Sequence, residues 1–296
     1  MVKSRRPPTT SPSSTSSAKA AMVVSTRPSS GGKDVFAVKK PLAASSTYLD
    51  NEIDILLSYS SRYVVNLVGL ASDHTGSQLL LMEYMSNGSL EKLLQVRPDL
   101  SELTWRVAVA IQVGRGLVGL HRANPPIIHR DVKSTNILFD GKGRARLADF
   151  SLATRVGGPS RPAAGTIGYI DPRYIGPGQL GEGVDVFSFG VVVLELVGGR
   201  RVIEDRGVGE GVLGRLAAVA GRCMATEGGR RPRMEEVVEE LERAAERVWW
   251  PLGVVRRWVK RRWRRKGGRR GKVVRSTTRT ICNKELMDDD GDENRF

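Results

Sequence analysis

Apolar and polar positions alternate along Val35-Phe36-Ala37-Val38-Lys39, which predicts a strand ending on a lysine. Just upstream, Ala20–Ser25 reads as a poor strand, and Gly31-Gly32 as the turn that opens the folded region. A helix is predicted over Thr47–Tyr59. Strands follow at Val64–Leu70 and Gln78–Met82, separated by the polar turn Ser72-Asp73-His74-Thr75-Gly76. Val109, Val113, Leu117 and Leu120 then fall at helical spacing, in a helix that His121 closes as a capping or packing residue. Asp185 through Val197 is apolar almost throughout and reads as a buried helix, with Asp185 either capping it or tying a neighbouring backbone. Further helices are predicted at Leu213–Met224 and Met234–Val248.

Both flanks differ in character. Met1 to about Ser30 is dominated by Ser, Thr, Pro and Ala, and buries too little to offset its ordering entropy. Three regions result: 1–30 expected disordered, 31–247 folded, and 248–296 a basic tail with an acidic end. The net charge of +15 is concentrated in that tail, where Arg256–Arg275 holds twelve Lys or Arg and no acid, with Trp258 and Trp263 interleaved. Such a run fits a solvated, partly helical tail, or a peripheral anchor on anionic lipid with the Trp rings among the headgroups. It also fits nucleic acid or nuclear import, but nothing else in the chain resembles a nucleic-acid fold. With only Cys223 and Cys282 there is no disulfide framework, which favours a reducing, intracellular setting. No apolar run reaches the roughly 20 residues of a membrane span. Val2 after Met1 excludes N-myristoylation, and no apolar signal segment follows. The expected setting is cytoplasmic, with peripheral attachment to the plasma membrane through the tail and the nucleus as the lesser option.

Chemistry concentrates in Ile128-His129-Arg130-Asp131-Val132-Lys133-Ser134-Thr135-Asn136-Ile137-Leu138. An acid stands two residues before a lysine and five before an amide, between apolar runs that pin the loop to a core. Thirteen residues past Asn136 comes Asp149, in Ala148-Asp149-Phe150-Ser151. Two acids, one amide and one cation suit phosphoryl transfer: Asp131 orients a hydroxyl, Lys133 offsets charge on the moving phosphoryl, and Asn136 with Asp149 holds Mg²⁺.

This loop, with the D-F-x that follows, resembles the catalytic loop of eukaryotic protein kinases, and S-T-N-I-L resembles the plant receptor-like Ser/Thr kinases. The resemblance covers about Gly31 to Arg247. It implies an α+β, two-lobed fold with a small antiparallel-sheet upper lobe and a mainly helical lower one, both somewhat truncated, and ATP between them. By the same resemblance Lys39 holds the ATP α- and β-phosphates, and Glu52, thirteen residues on, holds Lys39. Met82 is the gatekeeper, and the Glu83 and Met85 backbones meet adenine. Gly165-Thr166-Ile167-Gly168-Tyr169-Ile170-Asp171-Pro172 resembles the platform beside the acceptor residue. His129 is structural, Arg130 is a cation that a loop phosphate orders, and Ser160 and Thr166, with Thr154 behind them, are candidate phosphosites. The implied function is transfer of the γ-phosphoryl of Mg-ATP to protein Ser/Thr hydroxyls in signalling. The alternative is a weak or inactive pseudokinase acting as a scaffold.

Four departures from the family pattern bear on activity. No glycine precedes Gly31, so the glycine-rich phosphate loop is missing and ATP should be held less well. Ser151 replaces the Gly of D-F-G, tightening the allowed dihedrals. Arg173 stands where the family has an acid that pairs with an Arg matching Arg231, so attraction is expected to become repulsion. Gly199–Cys223 is short, as if a docking helix of the lower lobe were deleted.

Overall fold

The computed structural model describes residues 21–26, 34–40, 46–74, 76–96, 103–158, 162–174, 180–198, 211–225 and 231–249. The basic run Arg256–Arg275, the acidic end, Ser160 and the shortened stretch 199–210 lie outside them. So does the N-terminal stretch 1–20, which precedes the first strand.

The upper lobe is one antiparallel sheet of four strands in the order β1-β2-β4-β3: β1 Ala21–Thr26, β2 Asp34–Lys39, β3 Leu67–Ser72 and β4 Gln78–Glu83. Strand β1 pairs along its whole length with β2, from Ala21 opposite Lys39 to Thr26 opposite Asp34. The sheet therefore begins ahead of Gly31, where the sequence alone opened the folded region. The Val23-Val24 pair suits a pleated strand, and β2 presents a complete edge to receive it. Helix α1, Ser46–Ser58, contributes Leu49, Ile53, Ile55 and Leu56 to the core.

The predicted strand Val64–Leu70 divides in two. Its start leaves the sheet for the lower lobe: the Val65 N–H donates to the Leu147 carbonyl at 2.8 Å, and the Leu147 N–H to the Tyr63 carbonyl at 2.8 Å. Its end becomes β3, with a register shift between Leu67 and Gly69. One apolar run thus serves two sheets. Sequence periodicity does not record that change of partner.

The lower lobe is built on α2 Leu90–Val96, α3 Leu103–His121, α4 Glu182–Gly198, α5 Val212–Cys223 and α6 Met234–Trp249. Val109, Val113, Leu117 and Leu120 are buried as their spacing predicts, and α4 is apolar on almost every side because it runs through the core. A Cβ at Gly190 would stand 2.8 Å from Cys223 Cβ and Met224 Cγ, so the close approach of α4 to α5 depends on that glycine. Two arginines bind α6: Arg115 of α3 reaches Glu242 at 2.6 Å, and Arg122, just past the end of α3, reaches Glu235 at 2.7 Å. Short two-stranded ladders complete the lobe, β5 Ile127–Ile128 with β8 Thr154–Arg155, and β6 Ile137–Phe139 with β7 Ala145–Leu147.

The expected repulsion between Arg173 and Arg231 does not occur. Asp171, two residues earlier, takes the position of the missing acid: Arg231 donates through both terminal nitrogens to its two carboxylate oxygens, one at 2.8 Å, and both residues are buried. The Arg173 N–H also donates to Asp171, at 3.0 Å, which turns its half-exposed guanidinium to the same carboxylate. A bidentate pair needs one planar acid within reach. In the D-P-R run Asp171 supplies it.

Candidate active site

The β6–β7 hairpin closes the thirteen-residue gap between Asn136 and Asp149. Ile137 lies opposite Leu147, so Asn136 just before β6 and Ala148 just after β7 become neighbours, and the Ala148 N–H donates to the Asn136 carbonyl at 2.9 Å. Asp149 follows at once. The β5–β8 ladder does the same for the other side of the loop, setting Ile128 opposite Thr154.

The loop between β5 and β6 is held from below by Asp185 at the start of α4. Its buried carboxylate accepts the His129 and Arg130 main-chain N–H groups at 2.8 Å each and bonds His121 Nε2 at 3.0 Å. Of the two roles open to Asp185 in the sequence, tying a neighbouring backbone is the one the fold uses. Burial pushes its carboxyl up, but the His121 and main-chain bonds outweigh that and leave it below the ordinary carboxylate range. His129 is fully buried against Phe150, with ring centroids 4.8 Å apart. It is a structural residue, as expected.

Within the loop the Asp131 carboxylate is surrounded by donors. Lys133 Nζ lies 2.8 Å from Oδ2, Asn136 Nδ2 donates to the same oxygen at 3.0 Å, and the Thr166 hydroxyl donates to Oδ1 at 2.7 Å. Lys133 also donates to the Thr166 oxygen at 2.7 Å. Thr166, a candidate phosphosite in the sequence, thus seats its hydroxyl on the acid and the cation of the loop. A phosphate there would press against the Asp131 carboxylate. Thr154 is buried in β8. Arg130 already binds the main-chain carbonyls of Leu152, at 3.2 Å, and Pro162.

From the upper lobe, Lys39 at the end of β2 reaches Glu52 on α1 at 2.6 Å and Asp149 at 2.9 Å. Burial lowers the Lys39 ammonium, but its two carboxylate partners outweigh that and raise it. Burial pushes Asp149 up too, yet the Lys39 charge and hydrogen bond, with the Ser151 hydroxyl, hold it down at about 2. Glu52, wholly buried, moves the opposite way, raised by burial beyond what Lys39 offsets. Among described non-glycine residues only Arg130 and Asp149 have positive φ, 69° and 64°. Ser151 has not, so in this conformation its Cβ carries no backbone penalty.

Glu83 ends β4, with its side chain turned to Asn66 Nδ2 at 3.0 Å and Arg146 at 2.5 Å. Met85 follows it, and its carbonyl accepts the Gly88 N–H at 3.2 Å to close a turn. Met82, the expected gatekeeper, is buried. Lys39, Glu52 and Asp149 thus meet in one set of contacts and Asp131, Lys133 and Asn136 in another, while Glu83 and Met85 lie in the connection between the lobes. Thr166, singled out only as a candidate phosphosite, lies on Asp131. Two contributors were missed. Asn51 binds the segment after Asp149, and Glu195 accepts hydrogen bonds from Tyr169, at 2.5 Å, and Ser134, at 3.1 Å, joining platform to loop. Burial and Glu195 push the Tyr169 hydroxyl up to about 12. Their partners lie 26 to 102 residues away, and no local pattern marks them.

The family model described as protein kinase domain matches residues 20–243. The chain belongs to the protein kinase family. The matched span starts at residue 20, which agrees with the inclusion of β1 in the sheet. A serine/threonine-protein kinase-like protein of Arabidopsis thaliana is 38% identical over 234 residues, 66% of this chain and 50% of that protein. A second protein so named from the same plant is 33% identical over 273 residues, 78% of this chain and 73% of its own length. An LRR receptor-like serine/threonine-protein kinase, FEI 2, also from that plant, is 34% identical over 247 residues, 71% of this chain and 42% of its length. The chain thus spans from under half to about three quarters of the length of these relatives. The kinase domain carries with it use of ATP and a divalent metal in general, and the plant receptor-like resemblance holds.

Proposed function

We propose that this chain is a protein serine/threonine kinase of the plant receptor-like cytoplasmic type, moving the γ-phosphoryl of Mg-ATP to Ser or Thr hydroxyls of proteins. The observation that carries this is Lys39 bridging Glu52 and Asp149 while Asp131, Lys133 and Asn136 stand in mutual hydrogen-bond contact.

The donor set fits a magnesium nucleotide. Among the described residues no group of three or more His, Cys, Asp or Glu forms a closed metal cage. One ionised carboxylate and one amide oxygen suit Mg²⁺, which completes its shell from phosphate and water. Asn136 donates its Nδ2 to Asp131, leaving Oδ1 for the ion, and Asp149 stays ionised at neutral pH. Asn136 and Asp149 would hold the ion, and when bound it would supply positive charge beside the phosphates. Lys39 holds the α- and β-phosphates, and the Glu83 and Met85 backbones pair with adenine. Asp131 orients the acceptor hydroxyl and takes its proton, and Lys133 faces the transferred group. Thr166, which bonds both, aligns them.

No helix among the described residues is long and apolar enough to cross a membrane. A cytoplasmic kinase held at an anionic membrane surface by the Trp-interleaved basic tail is the matching location. The deciding experiment is transfer of labelled γ-phosphate from Mg-ATP to the protein and to a basic Ser/Thr peptide, with Asp131→Asn as control. Transfer that vanishes in the control supports the enzyme. No transfer from folded protein replaces it with the scaffold.

A further inference from the structure

Asn51 precedes Glu52 on α1, and its side-chain amide faces three main-chain carbonyls of the segment after Asp149: Ala153 at 2.8 Å, Ser151 at 2.9 Å and Phe150 at 3.3 Å. Only the NH₂ end can face three oxygens, so the amide's orientation follows from its surroundings. Glu52 completes the grip, since its Oε1 accepts the Phe150 N–H at 3.3 Å. Two consecutive helix residues therefore hold both polar groups of Phe150, the N–H by Glu52 and the C=O by Asn51. The Phe150 ring is fully buried, and Asp149 before it keeps a left-handed backbone that its surroundings must sustain. One turn further along α1, the Arg155 guanidinium donates to the Asp54 carboxylate, to the Asp54 carbonyl at 3.2 Å and to Ser58 Oγ at 2.7 Å.

We propose that Asn51 is a positioning residue: by holding the Phe150, Ser151 and Ala153 carbonyls it keeps Phe150 inward and thereby aims the Asp149 carboxylate at Lys39. The consequence for rate rests on the phosphoryl-transfer reading, but the conformational claim does not. Arg155 adds a second tie from the same helix, outside the turn itself.

The test uses the full chain as wild type, Asn51→Ala and Asn51→Asp. The probe is a diaryl-urea inhibitor whose terminal ring fills the space vacated when Phe150 swings outward, with Mg-ADP as the inward ligand. Both variants are expected to bind the urea roughly tenfold tighter than wild type, the equilibrium counterpart of losing about one net hydrogen bond. Transfer to peptide is expected to lose kcat with peptide KM unchanged. Asn51→Asp supplies a readout that packing alone does not move. Its carboxylate repels the three carbonyls at neutral pH, while at about pH 5.5 the protonated form regains a donor and its urea affinity returns toward wild type. Asn51→Ala lacks that carboxyl, and whatever the neighbouring raised Glu52 contributes over the range is common to both variants, so the readout is the difference between their profiles. Unchanged urea affinity in both variants overturns the proposal, as does an Asn51→Asp profile that does not differ from that of Asn51→Ala. Should Asn51→Ala fail to fold, the Asn51→Asp pH profile, read against that of wild type, decides alone. Wild type that shows the urea shift on substitution yet transfers no phosphate overturns the enzyme reading and leaves the Asn51 assignment standing.

Discussion

At Asp149 and Glu52 burial acts in the same direction on two carboxyls, and one lysine decides between them. Lys39 holds Asp149 at about 2 but does not fully offset the burial of Glu52. The consequences for stability have opposite signs. Asp149, depressed in the folded state, contributes stability that is complete above about pH 4 and lost as pH falls toward 2, of order 2 kcal/mol before discount for coupling to Lys39. Glu52, raised in the folded state, costs stability while ionised, a cost relieved as pH falls through its folded value. Asp149→Asn is therefore expected to flatten the fall in urea midpoint between about pH 4 and 2, and Glu52→Gln to leave that fall in place. At the other acid, Asp131→Asn keeps the contacts to Lys133 and Thr166 in reach but removes the carboxylate proposed as the base. It is expected to lower kcat by roughly 10²–10⁴-fold with little change in melting temperature, read in a peptide transfer assay.

At the scale of elements, short-range pairing carries long-range chemistry. The β6–β7 hairpin sets the distance from Asn136 to Asp149, and the Asp185 carboxylate at the start of α4 holds the loop ahead of it. The foot of the lower lobe rests on the Asp171–Arg231 pair, with both side chains nearly inaccessible. Removing one partner of a buried pair strands the other, so Asp171→Asn is expected to cost about 3–5 kcal/mol in denaturant unfolding. Arg173→Glu, which restores the family's acid, is expected to bring no more than about 1 kcal/mol, because Arg231 is already satisfied and position 173 is half exposed. A gain well beyond that would mean that Asp171 is a poor substitute.

Over the whole molecule, charge and the proposed catalytic groups are segregated. The paired acids and bases of the candidate site lie between Lys39 and Glu195, while the twelve Lys and Arg of the tail come after α6 in the chain. Deleting Arg256–Arg275 is expected to leave peptide transfer within about twofold while abolishing sedimentation with phosphatidylserine vesicles, and raising the salt should mimic the deletion. Vesicle binding that survives the deletion would remove the membrane role from the tail.

Much of this was legible in the chain itself. The spacing of Asp131, Lys133, Asn136 and Asp149, the V-F-A-V-K strand with Glu52 thirteen residues on, and the helical period of Val109 to Leu120 are local patterns. Backbone geometry turns such patterns into elements with known faces. What the tertiary structure alone decided depends on who meets whom across long separations. Asp171 replaces the absent acid, Thr166 sits on Asp131, Val64–Leu70 is shared between two sheets, and Asn51 reaches carbonyls about a hundred residues away. A hydrogen bond or ion pair is satisfied by whichever partner packing brings within about 3 Å, and packing belongs to the folded chain as a whole.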